Sequence, residues 1–136
     1  MHKYLKPSFL IEIGEKIFPY FAAATGILVL SALYIGLFAS PPDYQQGETV
    51  RIMYVHVPSA WMSLGIYSFM AICSFSYLVW RSPMLDVLTR SAAPIGACFT
   101  LLCLVSGSLW GKPIWGAWWV WDARLTSMLI LLFFYL

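Results

Sequence analysis

Two short stretches carry the residues best suited to chemistry. Residues 110–124 read WGKPIWGAWWVWDAR and hold five of the seven tryptophans, together with Asp122, the sole acid in the last third of the chain. Trp115, Trp118, Trp119 and Asp122 stand at i, i+3, i+4 and i+7, a spacing that predicts one helical stripe of three indoles and a carboxylate. Gly116 beside the stripe would let something approach closely, and Pro113 fits a helix start. Such a stripe is a flat apolar platform, suited to a planar hydrophobic ligand of porphyrin size. The plainer alternative is an aromatic belt at a membrane interface. Belts place one or two tryptophans at a helix end, which favours the platform.

The second stretch, YVHVPSAW over residues 54–61, supplies His56 at an expected membrane boundary. An imidazole there can ligate a haem iron, sit at headgroup level, or bond a backbone carbonyl. Asp122 would repel a carboxylate-bearing ligand. Its expected partners are Arg124, Lys112 or an indole N–H whose ring it would fix. Arg51, Lys112 and Arg124 are the cations able to meet ligand carboxylates, with contact to lipid headgroups as the alternative. Paired carboxylates at helical spacing, a Ser-His-Asp set, a glycine-rich phosphate loop and HxxxH or ExxH metal spacings are all missing from this face, so we expect no enzyme. Neither CxxC nor CxxCH occurs; Cys73, Cys98 and Cys103 fall in apolar runs and read as buried small hydrophobes.

These residues need elements to position them, and composition says which. Of the 136 residues 61% are hydrophobic and 10% charged, against about 25% charged in soluble domains. Too few polar side chains remain to cover a water-facing surface, so the expected fold is an all-α polytopic bundle in the lipid bilayer. The net charge of +2 is too small to suggest nucleic acid. Residues 1–17 form a polar, lysine-bearing N-terminus (Lys3, Lys6, Lys16) with a short interfacial helix and a solvated His2. The membrane domain is residues 18–136, with spans expected near 18–38, 57–79 and 91–109 and no cleavable signal peptide. Trp61 and Trp80 bracket the second span, roughly 28 Å apart on a helix, and read as interfacial anchors. Trp61 is also close enough to His56 in sequence to share its surroundings.

Polar loops are expected at residues 40–54 and 81–90. A fourth apolar run from Leu125 to Leu136 is about 12 residues, or roughly 18 Å of helix, too short to cross. We therefore expect the chain to be a fragment of a longer protein. Lysines before the first span, with Arg81 and Arg90 after the second, place the N-terminus and the 81–90 loop in the cytoplasm by the positive-inside rule. His56 and the tryptophan segment then share the outer face.

The residues that carry these features also carry a resemblance. WGAWWVWD, residues 115–122, is similar to the WWD signature of the haem-handling membrane proteins of cytochrome c biogenesis. RIMYVHVPSAW, residues 51–61, and DARLTS, residues 122–127, resemble the haem exporter protein C (CcmC) branch rather than the larger CcmF and CcsA-type relatives. The resemblance implies a six-span helical protein of the bacterial inner membrane, or its mitochondrial equivalent. Such a protein collects haem b and presents it on the periplasmic side. It passes haem to the chaperone CcmE, alongside the CcmA and CcmB transporter subunits and the small protein CcmD. It also implies His56 as an axial ligand of the haem iron, and Trp115, Gly116, Trp118, Trp119, Trp121 and Asp122 as the platform. Arg51, Trp110 and Arg124 match flanking positions for haem or chaperone contact. The family's second histidine, beyond the WWD segment, has no counterpart here, since only His2 and His56 occur. Two other function classes compete: a transporter subunit that moves haem or another solute, which needs polar positions along the spans, and a docking scaffold that binds no haem.

Overall fold

Proline, glycine and short polar turns cut the apolar sequence into four α-helices among the described residues. The computed structural model describes residues 7–136. Helix α1 is Pro7–Tyr34, α2 is Met53–Trp80, α3 is Pro83–Trp115 and α4 is Ala123–Tyr135. Among the described residues three helical segments are long and apolar enough to cross a membrane: Ile11–Ala39, Glu48–Trp80 and Pro83–Trp115. The all-helical, multi-span architecture therefore matches the expectation. The chain divides into two units between Ala39 and Ser40.

In the first unit α1 runs straight out of the lysine-bearing segment. The short separate helix expected over residues 1–17 is, from Pro7 onward, the start of α1 itself; residues 1–6, with His2, Lys3 and Lys6, lie outside the described residues. Lys16 pairs with Glu12 one turn earlier on the exposed face. The last turn widens to a π-helix, Ile35–Ala39, just before Ser40 and two prolines that cannot continue a helix.

The second unit holds α2, α3 and α4. Its entry loop is built by Asp43, whose carboxylate accepts the backbone N–H of Gln45 and of Gln46, both at 2.8 Å. Asp43 and Gly47 exchange backbone hydrogen bonds across this turn, with Gly47 at φ 58°. A 3₁₀ turn, Glu48–Ile52, then leads directly into α2. The structure corrects the expected loop at 81–90. Only Arg81 and Ser82 leave the helices; Pro83 starts α3, and Asp86 and Arg90 pair on its first turns at 3.0 Å. Arg81 closes α2 in the left-handed region at φ 49°, which costs a non-glycine residue about 1–2 kcal/mol. So tight a turn makes α2 and α3 antiparallel neighbours.

Small side chains form the seam between them. Ser59, Ser63 and Cys73 of α2 are buried, as are Thr100, Cys103 and Ser106 of α3, and Gly107 of α3 lies against His56 of α2, while Gly96 takes Tyr135 of α4 and Gly111 takes Trp115. Small residues let two backbones approach in a medium that offers no hydrophobic drive for helix pairing. Each buried serine or threonine hydroxyl bonds a carbonyl of its own helix: Ser59 to Val55, Ser63 to Ala60, Thr100 to Gly96 and Ser106 to Leu102. That meets the demand that polar groups be satisfied inside the protein at membrane depth. Cys98 departs from the expected burial, pointing outward while Cys73 and Cys103 face inward. Helix α4 seats on this pair through Leu131 and Tyr135. Tyr135 donates its hydroxyl to the Ser63 carbonyl, meets Tyr67 edge-on at 5.7 Å, and lies over Gly96, where a Cβ would overlap its ring.

Candidate functional site

Starting α2 at Met53 puts His56 inside the helix, ahead of the expected span. Met53, His56, Ala60 and Ser63 then fall on one face at i, i+3, i+7 and i+10, turned toward α3. From α3, Cys103, Gly107 and Trp110 answer at i, i+4 and i+7. Met53, His56, Ala60, Cys103, Gly107 and Trp110, together with Leu104, Trp115, Arg124, Leu125 and Met128, line a cavity of about 330 Å³. The lining is apolar and aromatic except for His56 and Arg124, the usual make-up of a ligand site: a greasy pocket with few polar groups. Its end of the helix pair is opposite the Arg81–Ser82 turn.

His56 is half-buried. Its Nδ1 lies 3.1 Å from the Cys103 carbonyl oxygen and 3.1 Å from the Ser106 hydroxyl. The ring is packed against Gly107, where a Cβ would come within 3.0 Å of Cε1.

The tryptophan segment departs from the expected stripe. Helix α3 continues through Pro113, in its last turn, and ends at Trp115, because Gly116 adopts the left-handed cap at φ 76° and returns its N–H to the Lys112 carbonyl. Residues 117–121 are irregular, and Asp122 caps α4. Trp115, Trp118, Trp119 and Asp122 therefore do not share one helical face. Glycine just after an apolar helix is the usual stop signal, so this boundary was readable at Gly116.

The indoles divide into two sets. Trp110 and Trp115 meet edge-to-face at 5.1 Å and wall the cavity. Trp110 also donates its indole N–H to the Gln46 side chain at 2.9 Å, tying the entry loop to α3. Trp118, Trp119 and Trp121 are not part of the cavity lining. Trp118 and Trp121 are 56% and 76% exposed, and Trp119 meets Trp121 edge-on at 5.4 Å. The Trp119 indole N–H is buried without a partner among the described residues. Trp61, 74% exposed, is also absent from the lining.

The cations are placed unequally. Arg124 lines the cavity, with its guanidinium 5.1 Å over the Trp115 ring and two donors, Nε and Nη2, on one Asp122 oxygen at 2.9 and 2.7 Å. Asp122 is thus the partner of Arg124 rather than of Lys112. Its second oxygen accepts the Leu125 N–H at 2.9 Å, and that N–H with the guanidinium holds the carboxyl below its ordinary value. Arg51 lies away from the cavity, bonded to Glu48 at 2.9 Å and to the Ser40 carbonyl at 3.1 Å. Lys112 reaches the Gly116 carbonyl at 3.0 Å and lies 5.8 Å over Trp118. Among the described residues no group of three or more His, Cys, Asp or Glu could hold a bare metal ion.

Sequence reasoning did not single out Met53, Met128, Gln46, Ser106 or Gly107 as site residues. The face spacing of 103, 107 and 110 would have found the α3 side once α3 was paired with α2.

A family model described as Heme exporter protein C matches residues 1–136. The chain is 52% identical to the Heme exporter protein C of Bradyrhizobium diazoefficiens over 130 residues, 96% of this chain and 49% of that protein. It is 50% identical to the Haemophilus influenzae protein of the same name, over 100% of this chain and 55% of the relative. Against the Escherichia coli K12 protein the identity is 47% over 99% of this chain and 55% of the relative. The chain thus spans about half the length of these curated relatives. Matched from end to end by the family model, the chain belongs to the Heme exporter protein C family of multi-pass membrane proteins.

Proposed function

We propose that this chain is the haem-binding part of a cytochrome c maturation protein that presents haem b on the periplasmic face and delivers it to the chaperone CcmE. The observation that carries the reading is the shared cavity of His56, Trp110, Trp115 and Arg124. An imidazole on one wall suits the iron, two indoles suit the macrocycle, and a guanidinium suits a propionate. Haem is cargo here, so the site has to grip a planar group and also let it go. A half-open cavity at one end of the helix pair fits that demand better than an enclosed core.

The remaining candidates take other parts. Gly116 ends α3 so that Trp115 turns to the cavity while Trp118, Trp119 and Trp121 continue onto an exposed segment, which we assign to the chaperone. Asp122 holds Arg124 in place. Arg51 secures the entry loop through Glu48 and the Ser40 carbonyl. CcmA, CcmB and CcmD are the further partners, in a bacterial inner membrane with a cytoplasmic N-terminus; a mitochondrial inner membrane is the equivalent setting. In support, Arg81 and Arg90 lie at the end of the α2–α3 pair opposite His56. The seam offers little to a solute-translocating alternative, because the buried hydroxyls of Ser59, Ser63, Thr100 and Ser106 are bonded within their own helices.

The test is a visible absorption spectrum of the full-length protein and its His56→Ala variant, each supplied with haem. The expected result is a low-spin haem spectrum that the variant loses or converts to high-spin. Equal spectra would remove His56 as ligand. No retained haem in either protein would leave the cavity as a docking surface.

A further inference from the structure

We propose that Ser106 and the Cys103 carbonyl form a positioning pair that holds His56 in the Nδ1–H form, with the Nε2 lone pair left for the cavity. The inference deepens the haem reading above and rests on it for its purpose, though not for its geometry.

The argument is a proton count. Nδ1 has two oxygen neighbours, the Cys103 carbonyl and the Ser106 hydroxyl, each at 3.1 Å, and the Cys103 sulfur stands farther off at 3.9 Å. A carbonyl can only accept. A hydroxyl has a single proton, and that of Ser106 is directed along its own helix, to the Leu102 carbonyl at 2.6 Å, with the Cys103 carbonyl at 3.2 Å as its other acceptor. What Ser106 turns toward His56 is therefore a lone pair. Two acceptors facing one ring nitrogen are satisfied only if that nitrogen bears the hydrogen. In the neutral imidazole the other nitrogen, Nε2, is then unprotonated, the form an iron needs. A hydrogen bond from the remote ring nitrogen also fixes the ring plane and raises the basicity of the ligating one.

Packing supports the same assignment. Ser106 is 7% exposed and Cys103 is 3% exposed, so water does not compete freely for Nδ1. Gly107 lets the ring lie against α3: a Cβ there would approach within 3.0 Å of Cε1 and 3.4 Å of Nδ1. These residues fall on successive turns of α3, so the helix presents them as one preformed cradle. Ser106 touches the imidazole rather than the haem, and is a positioning residue.

Two measurements test this. The first needs no haem: ¹⁵N–¹H correlation spectra of the histidine-labelled full-length protein at mildly alkaline pH, with the His56 signals identified by their loss in His56→Ala. The expected pattern is protonated Nδ1 and bare Nε2, shifting to a tautomer mixture in Ser106→Ala and restored in Ser106→Thr. The second is haem titration followed by absorption. Ser106→Ala should weaken haem binding about tenfold, in line with losses from outer-shell partners, and shift the spectrum toward high-spin; Gly107→Ala should do the same by displacing the ring. A proton on Nε2 in the parent, or an unchanged tautomer and haem spectrum in Ser106→Ala, overturns the proposal. If the parent binds no haem, the haem reading falls, and the tautomer pattern alone upholds or overturns the cradle.

Discussion

Asp122 does two jobs at the start of α4. One oxygen caps the helix at Leu125, while the other takes both donors from Arg124 and so keeps the guanidinium over Trp115. The carboxyl is held below its ordinary value of 3.8. A depressed folded-state value means that the charge contributes stability above the ordinary value and loses it as pH falls through the depressed one. Asp122→Asn isolates this, since asparagine caps as well as aspartate. The variant should melt at lower temperature than the parent at neutral pH, and the two should converge only in strong acid. Thermal unfolding followed by circular dichroism across pH checks this; a constant gap would remove the carboxylate charge as the cause. Asp122 and Arg124 were readable as a pair from sequence, though Lys112 competed. The helix cap decided it, because the cap fixes where the carboxylate points.

At the scale of elements, the docking of α4 rests on one aromatic. Tyr135 bonds the Ser63 carbonyl and lies against Gly96. Tyr135→Phe should cost about 0.5–1.5 kcal/mol, the net worth of one hydrogen bond. Gly96→Val should cost about 1–3 kcal/mol, since the overpacked ring has to shift. Denaturant unfolding of the full-length protein in detergent measures both; equal stability in Gly96→Val would mean that α4 is held elsewhere. Hydropathy located all four helices because it depends on local composition. It misjudged their ends, placing the start of α3 eight residues late, and the tryptophan spacing ran a helix through Gly116 where the structure ends one. Polar residues such as Asp86 and Arg90 look like loop in a window average, yet pair comfortably on a helix surface.

On the scale of the molecule, the tryptophans serve two surfaces. Trp110 and Trp115 face the His56 cavity, while Trp118 and Trp121 are exposed. Substituting Trp118 and Trp121 together by alanine should preserve the haem spectrum and reduce capture of the purified chaperone at least tenfold, as expected for exposed aromatic anchors. The reverse pattern, lost haem with intact capture, would merge the two surfaces into one. The membrane class and the three spans with a shorter fourth apolar helix were legible in the chain, because a depleted charge content and runs of apolar residues leave the polypeptide few alternatives in a bilayer. Loop charges also indicated that His56 and the tryptophans share a face. Tertiary structure alone decided which side chains meet. His56 reaches residues 47 and 50 positions away, and that meeting depends on the register of α2 against α3, which brings the imidazole against Gly107, where no side chain stands in its way. No local pattern encodes a register between two helices, whereas a seam of small residues fixes it once they pack.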